Sequence, residues 1–323
     1  MAAPPAKTPR LLAELRTHGG CAKTTLSKFL HTLHNRGLLA EGIGHGSERA
    51  IRDRIRADVE SCASQMTPFG RLIKSMPSGV AEAPEIEYAN PFALLWVVCS
   101  VSGCFWSLLN RDGQAPFRLV LYIDEICPGN PLRPDCTRLC QCVYWSFGDL
   151  PSNTLVQGGM WFLFTVLRTD IGNQIAGKLS GFMKKIMYVF PQQHGHSFQR
   201  GVLMSHGQSS KVVSASFSGF IGDEKALKEV IGIKGASGKK PCPTCSNVVR
   251  LVDPADRRGT SLVGLDCTDY SELVYHDDDS FFEMLDRLRH LHNSGASKAA
   301  ISRMEIVFGV HYDEQNLLYD AYM

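Results

Sequence analysis

An α/β fold, a mixed sheet flanked by helices with a small metal-binding insertion, is predicted by three observations. Apolar runs of strand length recur at 117–123, 139–147, 160–167 and 212–221, with a stretch of helical spacing at 171–189 between the third and the fourth. Two of these runs end in an acid: Phe-Arg-Leu-Val-Leu-Tyr-Ile-Asp-Glu (117–125) in Asp124, and Ser-Ala-Ser-Phe-Ser-Gly-Phe-Ile-Gly-Asp-Glu (214–224) in Asp223. Beyond the second lies Cys242-Pro-Thr-Cys245, a spacing that lets two thiolates reach one tetrahedral ion through a tight turn.

Composition narrows the function classes. A chain of 323 residues with 44% hydrophobic and 20% charged residues can bury a sizeable core and is not a disordered protein. Its formal net charge is only +2, so binding of a polyanion would use local basic patches. The cysteines number eleven, an odd count, and the start Met1-Ala-Ala-Pro-Pro-Ala-Lys carries no apolar leader segment. A secreted disulfide scaffold is therefore not expected; a nuclear or cytoplasmic protein with thiols and metal-bound thiolates is.

In chain order, residues 1–75 read as a helical N-terminal module. Within it, Leu11–Arg16 and Lys23–His34 are two amphipathic helices around a Gly-Gly turn, open to a helix-turn-helix or a plain helical hairpin. Residues 76–90, with Pro77, Gly79 and Pro84, read as a linker. The core follows at 91–235. Its opening run, 91–109, has no charge, but Ser, Gly and Cys interrupt it and it leads into the first strand, so it reads as a buried helix and not as a membrane span. Three strands, a helix, a further strand and a helix is the order of an RNase H-like core, in which the first and fourth strands lie side by side. Residues 236–295 form the Cys/His insertion, and 296–323 begin a C-terminal helical region that the chain end at Met323 is expected to leave incomplete.

The chemistry follows from the acids and the thiols. Carboxylates at the ends of buried strands can hold hard divalent cations, Mg or Mn, for phosphoryl transfer. Each acid also has a structural reading: Asp124 can bond the turn that follows it, and Asp223 can cap the helix that begins at Glu224. Glu125 alternates to the opposite face from Asp124. In the insertion, Cys242, Cys245, Cys267 and His276 make a Cys-x2-Cys-x21-Cys-x8-His set, with His290 and His292 as alternates, suited to structural zinc.

Tyr122-Ile-Asp-Glu-Ile-Cys-Pro-Gly-Asn-Pro-Leu-Arg-Pro-Asp, Cys142-Val-Tyr-Trp-Ser-Phe, Gly222-Asp-Glu-Lys-Ala and Lys234-Gly-Ala-Ser-Gly-Lys-Lys-Pro-Cys-Pro-Thr-Cys together resemble the catalytic region of CACTA-type DNA transposases, over roughly residues 90–280. The resemblance implies that Asp124 and Asp223 are the first two catalytic carboxylates, that a zinc-binding insertion follows, and that DNA and further copies of the chain are partners. It also implies a third acid after the insertion. Glu305, with Asp313 and Glu314 nearby, is the candidate, although no motif singles it out. Arg133, Arg138, Lys184, Lys185, Lys239, Lys240, Arg257 and Arg258 are the local basic residues available for phosphates. Two functions are open to such a chain: metal-dependent phosphodiester cleavage or strand transfer, or a catalytically dead DNA- or protein-binding module that keeps the fold and the zinc.

Overall fold

The computed structural model describes residues 66–83, 85–109, 116–127, 139–156, 160–193, 195–235, 239–240, 243–251, 262–264 and 270–320. Residues 1–65 of the expected N-terminal module lie outside this set, as do Cys242 and Cys267. The chain divides into two compact units: Met1–Ile175 with Ile186–Gly222, and Ala176–Lys185 with Asp223–Met323.

The first unit opens with the paired strands β1 (Met66–Thr67) and β2 (Gly70–Arg71), then β3 (Ile73–Met76) and β4 (Ile86–Ala89). Helices α1 (Pro91–Val101) and α2 (Gly103–Leu109) precede β5 (Phe117–Ile126) and β6 (Cys140–Phe147). After a single turn, α3 (Ser152–Leu155), come β7 (Phe162–Arg168) and another turn, α4 (Thr169–Gly172). Helix α5 (Lys178–Val189) begins in residues of the second unit and re-enters the first, which ends with β8 (Gln192–Gln193), β9 (His196–Ser197), β10 (Val202–His206), β11 (Ser209–Val213) and β12 (Ala215–Gly222).

Six of these strands make one mixed sheet in the order β12-β5-β6-β7-β4-β3. Only β12 with β5 is a parallel pair; the other neighbours are antiparallel. The sheet corrects the linker expected over 76–90, because Ile86–Ala89 is one of its strands. Apolar alternation is short there and two prolines surround it, so the signal reads as a loop. The strand expected at 212–221 likewise divides at Ser214, with β11 turning back on β10 and β12 joining the sheet.

The uncharged run 91–109 is two helices, not one. Asn90 caps the first, its Oδ1 accepting from the Phe92 and Ala93 N–H groups at 3.2 and 3.5 Å, while its Nδ2 donates to Phe69 O at 2.8 Å. Pro91 then sits where a missing N–H is harmless. At Ser102 the backbone becomes extended, and its Oγ accepts from the Phe105 N–H at 3.1 Å, so one buried serine ends α1 and caps α2. No single described helix is long and apolar enough to cross a membrane.

The sheet buries a large aromatic core. Trp145 packs on Phe162 and Phe190 with ring centroids 4.8 and 5.4 Å apart, and Phe92 of α1 stacks on Phe198 at 4.5 Å. Trp145, Phe147, Phe162, Phe164, Phe190 and Phe198 are all buried, each removing roughly 150–250 Å² from water. A separate, smaller cluster joins Ile126, Cys142 and Leu163 with Cys140, Tyr144 and Val166.

The second unit contains α6 (Glu224–Ile231), the strand pair β13 (Val249–Leu251) and β14 (Leu262–Gly264), α7 (Asp278–Asn293) and α8 (Lys298–Phe308), with 3₁₀ turns at Tyr270–Glu272 and Leu317–Tyr319. Met284, Leu285, Leu288, Phe308, Val310 and Tyr319 form its core. The segment Ala176–Lys185 belongs here because Ser180 Oγ accepts from the Leu317 N–H at 2.9 Å and lies 2.5 Å from Val230 O, while Lys184 pairs with Asp320 at 3.0 Å. Gly232 ends α6 at φ +74°, where an added Cβ would meet the Asn316 amide.

Candidate functional site

Asp124 lies near the end of β5, the strand held between β12 and β6. Its antiparallel partner is Cys142, and Tyr122 pairs with Tyr144 two residues earlier. Strand alternation therefore sets Tyr122, Asp124, Ile126, Cys140, Cys142 and Tyr144 on one side of the sheet. Asp124 is half-buried at the edge of the small cluster around Cys142.

The adjacent acid takes the other side, as alternation predicts. Glu125 pairs in register with Gln141, whose Nε2 donates to Glu125 Oε1 at 2.9 Å; Thr169 Oγ1 donates to the same oxygen at 3.0 Å. Gln141 is buried, and its own Oε1 lacks a hydrogen-bond partner. This clamp holds the end of β5 against β6 and α4, and nothing in the sequence signals it beyond a polar residue within an apolar strand.

The parallel ladder between β12 and β5 runs to its last pair, Gly222 with Ile123. The next residue along each strand is an aspartate, Asp223 and Asp124. Asp223 begins the second unit as the N-cap of α6, with its Oδ1 accepting from the Ala226 N–H at 2.7 Å. The capping role read from Asp-Glu-Lys-Ala-Leu-Lys-Glu is thus present.

Glu305 is engaged within the second unit. Its carboxylate accepts from Lys234 Nζ and from the Tyr312 N–H, both at 2.9 Å, with His311 Nδ1 at 3.8 Å. Burial alone would raise its carboxyl, but His311, the Tyr312 N–H and Lys234 more than offset this and bring it down to about 2. Such a carboxylate stays ionised and joins α8 to the chain on either side of it.

For the expected zinc set, Cys245 and His276 are described, and Cys242 and Cys267 lie outside the described residues. Cys245 forms an antiparallel bridge with Tyr275, flanked by hydrogen bonds from the Ser246 N–H to Val274 O and from the His276 N–H to Thr244 O, each 2.8 Å. The two candidate ligands are therefore one residue out of register, with Tyr275 directly opposite Cys245. The His276 ring is oriented by Ser280 Oγ, 3.1 Å from Nδ1. Its titration is lowered by burial and then by the Lys240 charge, against a smaller opposing pull from Asp277. A neutral imidazole is the form that binds metal. Among the described residues no cluster of three or more His, Cys, Asp or Glu groups is placed to hold an ion.

Lys240, one of the local basic residues available for phosphates, is only 1% exposed. A buried ammonium requires a neighbouring anion or a dense hydrogen-bond set, and its field reaches His276. The chain matches no known family model and no curated protein to a significant degree.

Proposed function

We propose that this chain is a transposase-like DNA-processing domain built on an RNase H-like core, in which Asp124 and Asp223 hold divalent cations for phosphodiester cleavage or strand transfer. The observation that carries the reading is the parallel ladder ending at Ile123 and Gly222, with an aspartate next on each strand. The strand order β12-β5-β6-β7, with only β12 parallel to β5, supports it. Mg²⁺ or Mn²⁺ bound to such a pair would polarise the scissile phosphate and lower the pKa of an attacking water or 3′ hydroxyl. The test is cleavage and strand transfer on supercoiled and nicked DNA. Metal-dependent product is expected from the wild-type chain and its loss from Asp124→Ala; product unchanged in that variant would sink the assignment.

A second reading, a catalytically dead binding module, is favoured by one observation. Glu305, the candidate third acid, is already engaged by Lys234 and the Tyr312 N–H. Folded protein that binds DNA but never cuts it under Mg²⁺ or Mn²⁺ would select this reading.

Structural zinc belongs to both readings, held by Cys242, Cys245, Cys267 and His276. Its support is the backbone pairing that draws residues 244–246 to 274–276, together with Lys240. Three thiolates, one imidazole and Zn²⁺ carry a net charge of about −1, which suits a buried ammonium that acts on His276.

A further inference from the structure

We propose that the outer face of α7 docks a second copy of this chain, the two copies meeting antiparallel through the same helix. Such an interface needs neither DNA nor metal. Met284, Leu285 and Leu288 turn one side of α7 into the core of the second unit, and Asp277 caps its start, with Oδ1 accepting from the Ser280 N–H at 2.9 Å. On the other side Phe282, Glu283, Asp286, Arg287 and His290 are exposed and Leu291 is half-buried, along a shallow hollow lined from Asp279 to Leu291. Phe282 is 53% exposed, a large apolar ring on the side of the helix that does not face the core.

This face carries its own complement. Written as Phe282-Glu283-x-x-Asp286-Arg287-x-x-His290-Leu291, the pattern returns from the other end with acid exchanged for base. An antiparallel copy whose two-fold axis passes between Asp286 and Arg287 therefore sets Glu283 level with the second copy's His290, and Asp286 level with its Arg287. At 100° per residue, Glu283 and His290 lie about 20° apart at the middle of the face, with Asp286 and Arg287 about 50° to either side. The first pair thus meets directly and the second meets across the seam, while Phe282 and Leu291 cover its two flanks. In a parallel arrangement each charge would oppose its own copy and the helix dipoles would repel, so the pattern selects the antiparallel one. A contact of this kind requires a surface complementary to itself, which is what the exchange of acid for base supplies.

The groups are open to a partner. Among the described residues Glu283 and His290 make no side-chain hydrogen bond or ion pair. Asp286 holds Arg289 through one oxygen, at 2.7 Å, and is itself exposed. Arg287 lies over the Phe308 ring at 5.9 Å, which occupies the face of its guanidinium and leaves the N–H edge. From Phe282 to Leu291 the face is only about 14 Å long. It buries less than the roughly 1,200 Å² of a standard interface, so the dimer is a weak one, with Kd above about 1 µM.

The experiment is sedimentation of the full chain over a range of concentrations, at low and at high salt. A reversible monomer–dimer equilibrium that weakens with salt is expected. His290→Glu, which sets an acid against Glu283, and Arg287→Glu, which sets one against Asp286, should each weaken it about tenfold or more. Adding Glu283→Arg to His290→Glu should restore it, because the exchanged pair is again self-complementary in the antiparallel register. Circular dichroism and melting curves confirm that each variant is folded, as expected for substitutions outside the core. A monomer at every concentration would overturn the interface. So would a dimer unchanged by either single reversal, which would put the contact on another surface. A double variant as weak as His290→Glu alone would overturn the antiparallel register.

Discussion

Asp223 can serve as a cap and as a metal ligand, and the two roles need different atoms. A cap needs one short acceptor for the Ala226 N–H, which serine supplies as well as aspartate. A cation site needs a carboxylate. Asp223→Ala is expected to cost about 1 kcal/mol in urea denaturation and Asp223→Ser only a few tenths, while both lose metal-dependent cleavage. Cleavage retained in the serine variant would leave Asp223 a cap and nothing more. At Glu305 it is charge and packing that separate. Its folded carboxyl titrates at about 2, below the usual 4.5, so its stabilisation is complete above 4.5 and is lost as pH falls through the folded value. Glu305→Gln should lower stability by about 2 kcal/mol at neutral pH. Denaturation at a series of pH values should show the gap to wild type closing below pH 4.5; a gap constant with pH would mean that packing, not charge, is what the variant loses.

At the scale of elements, legibility in the sequence followed the strength of the apolar pattern. β5, β6, β7 and α6 lie within three residues of the runs at 117–123, 139–147, 160–167 and 224–230, because long apolar runs and a capping aspartate are local signals. What escaped was set by partners distant in sequence. β4 is four residues long and enters the sheet through β3 and one register pair, Tyr88 with Thr165. The break at Ser102 depends on a buried serine whose N–H closes α1 on Val98 O and whose Oγ caps α2. The acids at 124 and 223 were visible, whereas the Gln141–Thr169 clamp and the burial of Lys240 were not, since both depend on tertiary neighbours. The β4–β7 junction is correspondingly easy to loosen. Thr165 Oγ1 donates to Glu87 O at 2.7 Å across it, so Thr165→Val should cost about 1–2 kcal/mol. Amide exchange in β3 and β4 is expected to rise more than in β5 and β6; uniform protection loss would mean that the sheet opens only as a whole.

For the whole molecule, the two units draw stability from different sources. The first has a continuous aromatic core, in which Trp145 touches Phe147, Phe162, Phe190 and Phe198, so apolar burial is its dominant stabilising term. The second has a smaller described core on α7 and α8, and between Gly232 and Asp277 its described regular structure is one three-residue strand pair and a single 3₁₀ turn. The zinc proposed for Cys242, Cys245, Cys267 and His276 would cross-link this insertion. Protein purified without chelator is expected to carry about one zinc per chain by elemental analysis. Chelation should then expose Cys245, otherwise buried, to thiol reagents, while the near-ultraviolet circular dichroism of the Trp145 core persists. Cys242→Ser should do the same without chelator. Zinc absent from folded protein, with Cys245 unreactive, would leave the insertion held by its backbone pairing and the buried Lys240 alone.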